Sequence, residues 1–326
     1  MKLGIVIPTN RPERVIGGWW DAWEFRDVAV YLVHDTPEPW PSLLNLAAWH
    51  LSWQDIDRRF PAEPALISRQ SDAVRCIGLL EAYHDGCDVV ITLDDDVTPN
   101  GSKGSDVLAT IRHLLTEGRP HNAWFNPAPD AHARGVPFRH RDRRWPVAAV
   151  ACLPSGDADL SAVWRLAHGE TETALLGVGV MPPGQYMPLS SLCLAVTREF
   201  LPLWYFPPQG REFDRWGDVW AGLLIVRVAE HLRHSILWTS GNVMHTCASD
   251  PFVGLIAEAG GYAQNERFWR HLDSLTLIGS TPVDCAREIA DWLQCIADPY
   301  LRLWGRNLAR WITALDNPKE SRLSSA

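Results

Sequence analysis

Four short apolar runs in the first hundred residues each stop at polar positions: Lys2–Ile7, Val28–Val33, Ala65–Ser68 and Cys87–Leu93. Runs of this length without polar alternation suit strands buried on both faces. Trp19–Phe25 and Asp72–His84 read as helices between them, the second with Ala73, Ile77 and Leu80 at helical spacing and Asp72 as its N-cap. Asp106–Thr116 follows as another helix, while Leu43–Phe60 fits either a helix or irregular chain. This βαβ rhythm predicts an α/β fold, a mostly parallel central sheet flanked by helices. Ligands of such sheets sit beyond the carboxyl ends of the strands. Thr9, Asp35 and Asp94–Asp96 all fall at those ends, so topology alone gathers three polar sites at one edge.

The pattern breaks up from Trp124 to Phe213, where Pro and Gly are frequent. Val219–Leu232 then reads as a helix opened by Asp218, and Ser235–Thr239 as a strand. Glu266–Leu277, Asp284–Ile296 and Tyr300–Leu315 read as amphipathic helices, with Pro299 breaking the chain between the last two. The expected division is an α/β domain over residues 1–265, a helical extension over 266–316 packed on it, and a disordered tail over 317–326.

Composition narrows the function. The chain of 326 residues carries 30 Lys+Arg against 39 Asp+Glu, a net charge of −9, which argues against a general electrostatic nucleic-acid binder. An acidic protein that handles an anionic ligand must concentrate positive charge, or a metal, locally. There is no long apolar run of membrane-spanning length, and the apolar stretch before Pro8 is too short for a secretory signal. The seven cysteines are scattered without a C-x-x-C pair, so free thiols and a cytoplasmic setting are expected. Most of the 17 Trp are expected in the core.

The chemistry concentrates in Val89-Val90-Ile91-Thr92-Leu93-Asp94-Asp95-Asp96. Three adjacent carboxylates at the end of a buried strand repel one another, and a divalent cation would offset that repulsion. Hard oxygen ligands suit Mg²⁺ or Mn²⁺. Strand alternation would put Asp94 and Asp96 on one side and Asp95 on the other. A solvated acidic turn is the plain alternative. Arg75 could reach a phosphate or base, or could bridge to Asp72 or Asp94 instead. Asp35 could accept from a base N–H or merely hold a turn. The basic stretch from Arg134 to Arg144 suits phosphate binding through guanidinium forks.

Read together, five ordered motifs over residues 4–253 resemble the reversibly glycosylated polypeptides, the UDP-arabinopyranose mutases of glycosyltransferase family 75. They are Gly4-Ile5-Val6-Ile7-Pro8-Thr9; Ile67-Ser68-x-x-Ser71-Asp72-Ala73-x-Arg75-Cys76-x-Gly78 followed by Asp94-Asp95-Asp96; Arg134-Gly135-Val136-Pro137-Phe138 with Arg141; Asp218-Val219-Trp220-Ala221-Gly222; and His245-x-x-Ala248-Ser249-Asp250-Pro251-Phe252-Val253. The chain departs from the family at Val97, where the family has Cys, and at Gly217, where it has Asp. Ser191-Leu192-Cys193 stands where it has G-M-N.

The resemblance implies a GT-A-like nucleotide-sugar fold and a UDP-sugar substrate, UDP-arabinose or UDP-glucose. It implies nucleotide-sugar contacts from Pro8, Thr9, Asp35, Asp72, Arg75, Asp94 and Ser249, and a divalent ion, Mn²⁺ or Mg²⁺, on Asp94, Asp96 and His245. It also implies catalytic roles for Arg134 and Arg141, with Arg134 as a possible site of self-glycosylation; Asp218 and Asp95 are the candidate carboxylates to take a proton from or orient that arginine, Asp218 being otherwise a sugar-binding group or a plain N-cap. The expected activity is pyranose–furanose interconversion of UDP-arabinose. The alternatives are transfer of a sugar to a separate small-molecule or protein acceptor, and a UDP-sugar-binding scaffold of low turnover. The Trp content and C-terminal helices could support a homo-oligomer.

Overall fold

The computed structural model describes residues 1–11, 28–63, 65–100, 107–117, 134–135, 137–138, 144–169, 177–209, 213, 215–246 and 250–317. The helix expected over Trp19–Phe25 lies outside these residues. The apolar runs become β1 (Leu3–Thr9), β2 (Ala29–His34) and, after a further stretch of chain, β4 (Val89–Leu93). Nearly every residue in them is buried, as unalternated runs require.

The third strand is not Ala65–Ser68. Leu66 and Ile67 are apolar because they fill the core beneath the sheet, as turn residues without strand pairing. The strand is β3 (Trp49–Leu51), a half-exposed edge strand whose sequence carries little apolar signal. It is followed directly by α1 (Trp53–Arg59), capped reciprocally by Ser52 and Asp55. The Asp72 helix begins as a 3₁₀ turn over Asp72–Arg75 and continues as α2 (Cys76–His84). Ser71 holds the N-cap position expected of Asp72, which leaves the Asp72 carboxyl for other contacts.

The remaining elements are β5 (Val97–Pro99), α3 (Val107–Glu117), β6 (Val147–Gly156), α4 (Ala162–His168), β7 (Val178–Val180), β8 (Cys193–Thr197), α5 (Gly217–Leu232) and β9 (Ser235–His245). They end with α6 (Pro251–Asp273), α7 (Pro282–Cys295) and α8 (Pro299–Asp316). The last three helices share one start signal: Asp250, Thr281 and Asp298 cap them, and each has Pro at the first turn. Pro299 therefore opens α8 rather than merely breaking the chain, because its fixed φ and missing N–H cost nothing at that position. The helix α6 also runs unbroken across residues 265 and 266.

Among the described residues the sheet has nine strands, in the order β3-β2-β1-β4-β8-β6-β9-β5 with β7 also pairing β9. Its first four strands are parallel; β8 runs antiparallel to β4 and β6, and β6 and β9 are parallel. The α/β class holds, with the parallel part confined to one half and mixed pairing in the other. One face packs under α2, α5, α7 and α8 and the other under α3, so both faces are covered. The carboxyl ends of β1, β2 and β4 open on a common edge.

Candidate active site

A cavity of about 570 Å³ lies at that edge. Pro8, Thr9, Asp35, Asp72, Arg75, Asp94, Asp95, Asp96, Asp218 and His245 all line it, so ten of the expected residues converge. Arg134 is exposed and is not among the lining residues. Arg141 and Ser249 lie outside the described residues.

The acidic triplet leaves strand geometry at its first member. Val97 N–H donates to Asp94 O at 3.2 Å, so Asp94–Val97 is a turn and strand alternation does not apply. The three carboxylates take three directions. Asp94 accepts from Arg75 Nη2 at 2.7 Å. Asp95, nearly buried, accepts from Thr9 Oγ1 at 2.9 Å and from Arg11. Asp96 faces Arg11 Nη2 at 3.3 Å through one oxygen and His245 Nε2 at 3.9 Å through the other. The mutual repulsion of the triplet is thus offset by two arginines of the chain itself.

Arg75 is 2% exposed and all three of its nitrogens are committed. Nε donates to Asp72 O at 2.9 Å, Nη1 to Ser191 O at 3.2 Å and Nη2 to Asp94, with the guanidinium 5.5 Å from the Phe206 ring. Its bridge to Asp94 is the plain alternative read from the sequence. Asp218 is held by Ser191 N–H (2.9 Å), Ser191 Oγ (3.1 Å) and Val219 N–H (2.8 Å). Burial raises the Asp218 carboxyl pKa. Burial, then the neighbouring Asp218 charge, push Asp72 up to about 7. Among the described residues, Asp72 Oδ1 is a buried oxygen without a hydrogen-bond partner. Asp35 accepts from Trp53 Nε1 (2.7 Å) and Gln70 N–H (2.9 Å), both on Oδ1, so it fixes the loop as well as lining the cavity.

His245 Nδ1 lies 2.9 Å from the Asp157 carbonyl. A carbonyl only accepts, so Nδ1 carries a proton, and Nε2 is the nitrogen that faces Asp96. A metal ion on this ring would bind through Nε2. Among the described residues no group of three or more His, Cys, Asp or Glu is gathered closely enough to hold an ion alone. Of the expected metal ligands, Asp96 and His245 face each other at 3.9 Å, while Asp94 is turned to Arg75.

Several lining residues escaped the sequence reading. Arg11, two positions beyond Thr9, was signalled by the same strand-end rule that selected Thr9. Asp159, Arg165 and Glu258 come from α4, its preceding loop and α6, where the sequence gives no such signal. Glu258 also accepts from Ala162 N–H at 3.0 Å and so fixes the start of α4 against α6. Ser190 and Ser191 come from the chain before β8, and Arg215 from that before α5. The lining counts eight carboxylates against four guanidinium groups.

The fold and this site define an α/β protein whose mixed sheet brings carboxylates, arginines and a histidine to one edge. The chain belongs to the reversibly glycosylated polypeptide family, whose model matches residues 46–319. It is 27% identical to a probable UDP-arabinopyranose mutase 1 of Solanum tuberosum, covering 80% of this chain and 76% of that protein. It is 26% identical to UDP-arabinopyranose mutase 3 of Arabidopsis thaliana, at the same coverages. Among solved structures, A197 from STIV aligns with a TM-score of 0.35 and 13% identity, over 77% of this chain and 87% of that one. No described helix is long and apolar enough to cross a membrane.

Proposed function

We propose that the protein interconverts the pyranose and furanose forms of a UDP-pentose, UDP-arabinose in the first instance. The observation that carries this reading is the convergence of the motif residues of a family with mutase-named relatives on one cavity. The nucleoside fits near Asp35, which lines the cavity with a carboxylate that accepts N–H groups. The diphosphate fits between Arg11 and the Asp96–His245 pair. An excess of carboxylates over guanidinium groups in the lining disfavours a bare diphosphate, which supports a divalent cation bound with it. Asp96 and His245 would hold that cation, with Asp94 beside them; when bound it would stabilise negative charge on the departing UDP.

Arg75 holds Asp94 in one orientation through its three fixed bonds. Asp72 and Asp218 lie at the sugar end. Ring exchange removes a proton from one sugar hydroxyl and returns one to the former ring oxygen. A carboxyl pushed up to about 7, as at Asp72, can hold that proton near neutral pH. Transfer of the sugar onto Arg134 is not favoured by that residue's place outside the cavity lining.

The test is incubation with Mn²⁺ and UDP-arabinopyranose or UDP-arabinofuranose, with nucleotide products separated by chromatography and the protein weighed intact. Interconversion that falls at least about a hundredfold in Asp96→Ala and His245→Ala supports the reading. UDP binding without interconversion overturns it. A pentose increment on the protein would point to self-glycosylation instead.

A further inference from the structure

Arg11 is unlike Arg75, the other arginine bonded to the acidic triplet. Its backbone is anchored, since Arg11 N–H donates to Thr9 Oγ1 at 3.1 Å and Thr9 Oγ1 donates in turn to Asp95. Its guanidinium spans Asp95 and Asp96, with Nε 3.3 Å from Asp95 Oδ2 and Nη2 on Asp95 Oδ1 and 3.3 Å from Asp96 Oδ2. The Arg11 side chain is 35% exposed, where that of Arg75 is 2% exposed and fully committed. Arg11 is therefore placed to change partners, and Arg75 is not.

The carboxylate it holds is the one shared with His245. Asp96 presents one oxygen to His245 Nε2 and the other to Arg11. A divalent cation between Asp96 and His245 would meet a guanidinium already on the same carboxylate. Like charges at that separation oppose one another unless an anion enters between them. A diphosphate is such an anion, and a guanidinium matches its oxygens bidentately.

We propose that Arg11 is a tethered counter-cation that holds the acidic edge of the site and moves to the substrate diphosphate when a divalent cation takes Asp96. The inference rests on the metal-assisted nucleotide reading above and deepens it. Its consequence is coupling: cation alone binds weakly, nucleotide and cation bind together, and Arg11 supplies the coupling. By linkage, each ligand then raises the affinity for the other by the same factor.

The experiment is a Mn²⁺ titration of the full chain, read from the electron paramagnetic resonance of free Mn²⁺, with and without UDP, paired with UDP titrations by calorimetry. Wild type, Arg11→Gln, Arg11→Ala and Arg11→Lys are compared, with a thermal melt of each. In wild type, UDP is expected to tighten Mn²⁺ binding by about tenfold or more, within the usual range of coupling. Arg11→Gln and Arg11→Ala are expected to bind Mn²⁺ alone about fivefold tighter and UDP in Mn²⁺ about tenfold weaker, so the coupling shrinks. Arg11→Lys keeps the charge and is expected to keep the weak binding of Mn²⁺ alone. If Arg11→Ala does not fold, Arg11→Gln, which retains most of the side chain, decides. Unchanged or weaker binding of Mn²⁺ alone by folded neutral variants overturns the role of Arg11 while leaving the metal reading intact. Absence of Mn²⁺ binding in wild type, with and without UDP, overturns both.

Discussion

Asp72 shows what a single buried carboxyl does in this site. Burial and the Asp218 charge hold it at about 7, against roughly 3.9 for an ordinary aspartate. Below about 4 both the folded and unfolded chains carry its proton; between about 4 and 7 only the folded chain does. The folded state then binds more protons than the unfolded one, so this group's contribution to stability falls as pH rises through that window and is flat above it. Asp72→Asn stays neutral throughout. It is expected to be more stable than wild type at pH 8, with the difference closing toward pH 4, measured as urea midpoints across that range. Equal midpoints at every pH would show that Asp72 ionises in the folded state as freely as in the unfolded one. Asp218, also raised, should leave a residual slope in the variant.

Gly217 is a local departure of another kind. A Cβ at this position would fall 1.9 Å from Gln209 Nε2, so the Gln209 carboxamide fills the room a side chain would take. The sequence comparison registers only a lost carboxylate; the space it vacated is filled by a residue eight positions earlier.

At the scale of elements, the C-terminal helices depend on close approach. A Cβ on Gly305 in α8 would stand 2.6 Å from Ala290 O and 2.8 Å from Leu293 Cβ, both on α7. Backbone oxygen cannot give way as a flexible side chain can, so Gly305→Ala must push the helices apart. The helix propensity gained, about 1 kcal/mol, is opposed by overpacking of about 1–3 kcal/mol. The expected outcome is a net loss, read as a lower urea midpoint with unchanged far-ultraviolet dichroism. A gain in stability would mean that α7 and α8 can separate at no cost.

For the whole molecule, those helices are part of the main core. The Trp311 ring stacks on Tyr205 with centroids 5.5 Å apart, and Trp304 meets Phe268 at 5.2 Å. Arg59 Nη2 donates to the Ala314 and Asn317 carbonyls, and the His84 ring lies within hydrogen-bond reach of Ala314 and Leu315 carbonyls. Each buried aromatic ring contributes about 1.5–3 kcal/mol from burial alone, and several lose cover at once if α8 is absent. A chain ending at residue 298 is expected to lose its sharp thermal transition and its near-ultraviolet dichroism. Full-length melting behaviour in that chain would mean that the helical extension is separable from the α/β domain.

The sequence alone was enough for the α/β class, because fully buried parallel strands need continuous apolar runs and only those runs occur at β1, β2 and β4. It was enough for the cavity edge as well, since strand ends and ligand sites coincide in such sheets. Ordered motifs carried the family. The edge strand β3 left no trace, because half-exposed residues need no apolar pattern. The true starts of α6, α7 and α8 were carried by a cap and a proline rather than by periodicity. Only the tertiary structure decided how the acidic triplet is neutralised. Pairing Asp94 with Arg75, Asp95 and Asp96 with Arg11, and Asp96 with His245 depends on contacts across 19 to more than 140 residues of chain. Local spacing cannot encode such contacts, because they form only when the sheet brings its strand ends together.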